Sequence, residues 1–169
     1  PHAQMVLFDT PGIHKPMHRM NERMVEAALS TLGQVELVLW LADVSEPFGA
    51  GDRFVAQALR KAGKPVILGL NKIDLIPKPK LLPLIDTYRQ LMDFTEVIPL
   101  SALSGENTDL VAERLFAHLP EGERLYPEDF LTDLPERFFV GEMVREAILH
   151  HTRDEMPYVT GVVVESFKE

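Results

Sequence analysis

Three short segments of the chain combine residue types that can hold a phosphorylated base: Asp9-Thr10-Pro11-Gly12, Asn71-Lys72-Ile73-Asp74 and Ser101-Ala102-Leu103. An ionised carboxylate at Asp74 accepts two donors lying side by side in one plane. Guanine presents that edge, through its ring N1–H and its exocyclic amine. Adenine carries an acceptor at N1 with no amine beside it, and would leave the carboxylate unpaired at a cost of about 1–3 kcal/mol or more. Asn71 can hold its loop and approach another edge of the base, while the Lys72 stem lies along the ring and keeps its ammonium in water. The backbone N–H of Ala102 can donate to the guanine carbonyl, because a small side chain lets the chain come close. At the phosphate end, Asp9 can hold Mg2+ through water, as hard oxygen ligands do. Gly12 allows its N–H to approach a terminal phosphate and provides a hinge. An Asp before Pro-Gly is by itself often just a turn. The ordered set of three is what carries the argument.

Such residues need a scaffold that brings their loops together, and the hydrophobic pattern supplies one. Up to His118, short apolar runs alternate with stretches of helical period, the mark of a parallel sheet covered on both faces. The runs predict strands at Met5–Phe8, Glu36–Ala42, Val66–Leu70 and Val97–Leu100. All three segments then fall at carboxyl ends of strands, where open α/β sheets place ligands. Helical spacing links Met20, Met24, Ala27 or Ala28, and Leu32; then Phe54, Val55, Ala58 and Leu59; then Leu81, Leu84, Ile85, Tyr88, Leu91 and Met92. A further helix is expected from Thr108, capped by Asn107 and stopped by Pro120. Trp40 is read as core packing. The polar stretch from Ile13 to His18, weakly patterned, fits a segment ordered only by a γ-phosphate, with His14 and His18 as surface residues.

Beyond His118 the character changes. Residues 119–136 are rich in proline and carboxylates and read as a linker. Phe139 or Val140, Val144 and Ile148, with Met143 and Ala147 beside them, mark an amphipathic helix over about 135–152. Tyr158–Phe167 then alternates and β-branches like a strand. One helix and one strand cannot bury a core, so 137–169 is expected to begin a second, α+β domain. Likewise the chain opens at Pro1 inside a strand-like run, and the α/β domain over 1–118 is expected to be cut at its start.

Composition bounds the rest. With 46% apolar and 25% charged residues the chain is neither collagen-like nor disordered, and without cysteine it has no disulfide or thiolate metal site. The adjacent pair His150-His151 points to different helix faces, which argues against a metal site there. Residues 1–120 carry 12 basic and 14 acidic side chains, and residues 121–169 carry 5 and 12. The acidic tail would repel a polyanion.

The three segments resemble, in order, the third, fourth and fifth signature elements of the translation-factor-related class of P-loop GTPases. Within it the chain is similar to the Era family of ribosome-associated GTPases. The tail extends the likeness: YPEDFLTDLPERFFVGEMVREAIL and EMPYVTGVVVESF look like that family's linker and the opening helix and strand of its KH-type RNA-binding domain. The resemblance implies a GTP-hydrolysing switch in small ribosomal subunit assembly that binds the 3′ end of 16S-type ribosomal RNA. It implies GTP/GDP contacts at Asp9, Thr10, Pro11, Gly12, Ile13, Asn71, Lys72, Ile73, Asp74, Ser101, Ala102 and Leu103, with Mg2+ held at Asp9. It also implies a cytoplasmic monomer, with peripheral membrane association as a family trait that no amphipathic anchor in this sequence encodes.

Two departures accompany the likeness. The phosphate-binding loop GxxxxGK[ST] does not occur, so the 169 residues alone are expected not to hydrolyse GTP. The KH domain's GxxG loop does not occur either. Second, Ile13 stands where Ras-like relatives place the glutamine that orients the attacking water; no catalytic residue is assigned. A related ribosome-assembly or tRNA-modifying GTPase, and a non-hydrolysing interaction module, remain open on the residues alone.

Overall fold

The computed structural model describes residues 3–10, 30–130, 132, 134–151 and 161–166. The chain forms two compact units, Pro1–Arg124 and Leu125–Glu169.

The first unit is built on a parallel sheet, β1 (Val38–Asp43), β2 (Val66–Asn71) and β3 (Glu96–Pro99), in that spatial order. Val38 pairs with Val66 and Asp43 with Asn71; on the other side Ile67 pairs with Glu96 and Leu70 with Pro99. Helices α1 (Ala50–Ala62), α2 (Leu81–Arg89) and α3 (Thr108–His118) alternate with the strands, and single 3-10 turns occupy Ile73–Leu75 and Lys78–Lys80. This is the α/β architecture that the alternating pattern predicts.

The central strand explains the continuous apolar run. Leu68 and Leu70 pack with Ala42, Val44 and Tyr88 on one face, where Val66 also joins Val55 and Leu59 of α1. Ile67 packs on the other face with Ile98, Leu100, Val111 and Leu115. A strand covered on both sides has no solvent-facing position at which a polar residue would be favoured. Gly69 is required by a close approach: a Cβ there would stand 2.7 Å from Leu41 Cδ2 and 3.0 Å from Leu100 Cδ2. Trp40 does pack in the core, edge-on to Tyr88 at 5.7 Å.

Asp52 fastens α1 to α2. Its Oδ2 accepts the Gly49 N–H at 2.8 Å, satisfying a free donor at the start of α1, and its Oδ1 accepts the Tyr88 hydroxyl at 2.7 Å. Burial, and then the Asp52 carboxylate, push the Tyr88 phenol well above its ordinary value. Gly63 closes α1 in the left-handed region, φ 64°, with its N–H on the Leu59 carbonyl.

Several expectations are corrected. Met5–Phe8 forms no strand: only Met5 of the run reaches the core, and Leu7 and Phe8 are exposed. An apolar run signals burial, but without a ladder partner it does not make a strand. The strand expected over Glu36–Ala42 begins at Val38, and that over Val97–Leu100 spans Glu96–Pro99. Asn107 stands before α3 without capping it, because its Nδ2 donates instead to the Pro99 carbonyl at 2.8 Å. Leu91 and Met92 lie past the end of α2. The helix expected around Met20 to Ala28 lies outside the described residues; Leu32, at its far end, is buried in the first unit.

In the second unit, α4 (Glu136–His151) forms close to where the sequence places it. Its apolar stripe is partly covered: Val140 and Ile148 are half-buried beside the buried Gly141, where a Cβ would lie 3.6 Å from Val164 Cγ2, while Val144 and Met143 are exposed. The strand expected over Tyr158–Phe167 is not formed by its described part, residues 161–166. A strand needs a neighbour to bond, and within this unit the described partner of that segment is a helix face.

Candidate nucleotide site

The parallel order places the ends of β1, β2 and β3 along one edge of the sheet, and there two of the three signature segments meet. Asn71, the last residue of β2, joins both neighbours. Its backbone carbonyl accepts the Val44 N–H at 3.0 Å, beyond β1, and its side-chain Oδ1 accepts the Ala102 N–H at 3.0 Å, beyond β3. The Ile73 N–H adds a bond to the Leu100 carbonyl at 3.3 Å.

Lys72 is one of the non-glycine residues with positive φ, at 70°. Such a backbone is unfavourable for an L-residue and persists when surroundings hold it. Here the ammonium is held by Asp43 Oδ2 at 2.5 Å, and the Lys72 carbonyl takes the Leu75 N–H that starts the 3-10 turn. Asp43 in turn accepts the Ser45 N–H at 2.9 Å and the Ser45 hydroxyl at 2.5 Å. The bond from Lys72, then that from Ser45, hold the Asp43 carboxyl down at about 2, and Asp43 raises the Lys72 ammonium above its ordinary value. Asp74 is exposed in the turn, and its carboxylate has no hydrogen bond or ion pair among the described residues.

The Ser101–Leu103 loop is built by its own backbone. Ser101 is fully buried; its N–H bonds the Glu106 carbonyl at 3.0 Å, its carbonyl takes the Gly105 N–H at 2.9 Å, and its hydroxyl takes the Ser104 N–H at 3.2 Å. Gly105 at φ 80° makes the turn possible. Ala102 and Leu103 are left exposed at the tip.

The geometry changes two of the roles read from sequence. The Ala102 N–H, expected to face a base carbonyl, is engaged by Asn71, so this pair is the fastening between the loops. Lys72 keeps its ammonium at the surface as expected, but paired to a carboxylate. Asp43 and Ser45 enter the site unforeseen, because a pair 29 positions apart has no local pattern; the available signal was that Asp43 closes a strand on the same sheet edge. Asp9 and Thr10 are described, with Asp9 exposed, in a segment without regular structure. Pro11, Gly12 and Ile13 lie outside the described residues, as does the stretch from His14 to His18. Of the expected site, the structure thus brings the Asn71–Asp74 and Ser101–Leu103 segments together at one sheet edge.

A family model described as a 50S ribosome-binding GTPase matches residues 1–72. Among solved structures, a substituted Aquifex aeolicus Era bound to GDP·AlF4− is 38% identical over 88% of this chain, with a TM-score of 0.73. Era in complex with MgGDPNP and nucleotides 1506–1542 of 16S ribosomal RNA is 40% identical over 89% of it, with a TM-score of 0.75. The chain spans 51% of the length of each of these proteins. A probable GTP-binding protein, engB, shares the fold at 19% identity, with a TM-score of 0.51 over 64% of this chain and 74% of its own.

Proposed function

Because the chain belongs to the Era family of GTPases, we propose that it forms the base-reading part of a guanine-nucleotide switch that hydrolyses GTP and acts in the cytoplasm on the small ribosomal subunit. The observation that carries this reading is the fastened pair of loops at Asn71 and Ala102, beside an exposed carboxylate at Asp74 that is unpaired among the described residues. That carboxylate accepts the N1–H and amine of guanine together. Asn71 holds the loops at a fixed separation, and the Lys72 stem covers one face of the ring. The Ala102 N–H, set by Asn71, shares its hydrogen between the amide oxygen and the base carbonyl. A fixed cradle of this kind needs little reorganisation when the base arrives, which favours affinity.

At the phosphate end, Asp9 suits Mg2+ as an exposed hard oxygen donor, taking it through water. The ion would offset phosphate charge during hydrolysis.

RNA is the proposed partner of the second unit. The Era solved with a 16S ribosomal RNA segment supports this reading, as does the helix α4 packed at Gly141 on residues 162–164. In this reading α4 opens a KH-type domain that grips the 3′ end of the small-subunit RNA. A second reading, engagement of the large ribosomal particle, is favoured by the description of the family model matched over residues 1–72.

The test uses the complete protein that carries this chain. Labelled GDP should be displaced by GTP and not by ATP, and Asp74→Asn should abolish that preference. Displacement by ATP as readily as by GTP refutes the base reading. Co-sedimentation with separated ribosomal particles decides between the two partners: enrichment on the small particle supports the proposal, and enrichment on the large one replaces it.

A further inference from the structure

We propose that Asp43 is a specificity-determining positioning residue: by holding the Lys72 ammonium on the β1 side, it keeps the Asp74 carboxylate free for the two donors of guanine. This rests on the base reading above and deepens it. The problem it answers is electrostatic. Lys72 and Asp74 are separated only by Ile73, and a lysine on a flexible stem would pair with the nearest unsatisfied carboxylate. The base would then have to displace that ammonium before its own donors could reach the carboxylate.

The fold sorts these charges. Asp43 is the ladder partner of Asn71, the residue immediately before Lys72, so the register of β1 on β2 sets the carboxylate beside the lysine. Ser45 fixes one carboxylate oxygen with two bonds, from its N–H and its hydroxyl, and the other oxygen is left to the ammonium at 2.5 Å. The left-handed backbone at Lys72, φ 70° and ψ 35°, belongs to this arrangement. Glu46 adds a further acidic attraction on the ammonium. Asp74 stays exposed, with no hydrogen bond or ion pair among the described residues. A surface ion pair contributes little to stability, so holding Lys72 in this direction is the consequence that matters.

Inosine diphosphate separates this role from loop structure, because hypoxanthine lacks the exocyclic amine and makes only one of the two bonds to Asp74. In the complete protein, GDP should bind about tenfold or more tightly than IDP, as expected for a hydrogen bond to a charged acceptor. Asp43→Asn keeps an oxygen for Ser45 and removes the charge that holds Lys72. It should reduce the GDP-to-IDP ratio to about threefold or less, mainly by weakening GDP, whereas Asp43→Glu should stay nearer the parent ratio. Equal weakening of GDP and IDP in Asp43→Asn, or an unchanged ratio, overturns the proposal while the guanine reading stands. A parent protein that fails to prefer GDP over both IDP and ADP overturns the guanine reading, and this inference with it.

Discussion

The corner around Asn71 and the helix α4 show two ways in which apolar sequence meets the fold. At the first, Val66, Ile67, Leu68 and Leu70 are 0–1% exposed, and the strand ends in a residue whose backbone and side chain each bond a different neighbouring loop. At the second, Val144 is 46% and Met143 66% exposed, and the buried position is a glycine. Both segments carry a regular apolar pattern. The difference lies in what surrounds them among the described residues: β2 has layers on both faces, while α4 meets residues 162 and 164 at Gly141. Precision at a site comes from the enclosure of the element beneath it, and the loops proposed to read the base stand on the most enclosed of the three described strands.

The strongest way to break this contrast is Leu68→Ala. Truncating a fully enclosed side chain between two packed layers should cost about 2–5 kcal/mol in chemical denaturation; a cost under about 1 kcal/mol would mean that β2 is not the anchor described. Next comes Asn71→Ala, which removes the amide oxygen that holds Ala102. It should cost about 1 kcal/mol of stability, and in the complete protein it should weaken GDP by much more than that loss accounts for. Unaltered GDP binding would show the fastening to be incidental.

A smaller effect concerns acid. The Asp43 carboxyl sits at about 2, against an ordinary value of 3.8, because Lys72 and Ser45 favour its ionised form. Its contribution to stability is therefore present above the ordinary value and lost as pH falls through about 2. Carboxyl NMR titration should place its midpoint near about 2, moving up toward 3.8 in Lys72→Ala; a midpoint already at the ordinary value in the parent protein would mean that the ion pair does not form in solution. The least change is expected from Met143→Ser on α4, within about 0.5 kcal/mol. A loss above about 2 kcal/mol would place that face in a packed interface and erase the contrast.

Much of this was legible beforehand, for reasons that differ by residue. The strands β1 to β3 and the helices α1 to α3 declare themselves because enclosure selects long apolar runs and amphipathic stripes. Asn71, Lys72 and Asp74 stand out in the sequence because the proposed base reading requires particular groups at fixed spacing. Met5–Phe8 misled because apolar character records burial tendency and not ladder pairing. The α4 stripe predicted the helix but not that Val144 and Met143 of it are exposed, since periodicity does not say which neighbour is present. Asp43 and the Asn71–Ala102 bond were illegible because each joins parts of the chain that only the sheet brings together.

The carboxylate of Asp52 has a kinetic corollary. One of its oxygens completes the first turn of α1 and the other receives Tyr88, 36 residues further along. Helix initiation, normally a local event, is thereby tied to a long-range one: the first turn of α1 gains its final stabilisation only when α2 docks. The Gly49 amide proton should therefore exchange with solvent on the timescale of α2 undocking, far more slowly than the frayed end of an isolated helix, so that one slow proton reports when the two helices of this face come apart.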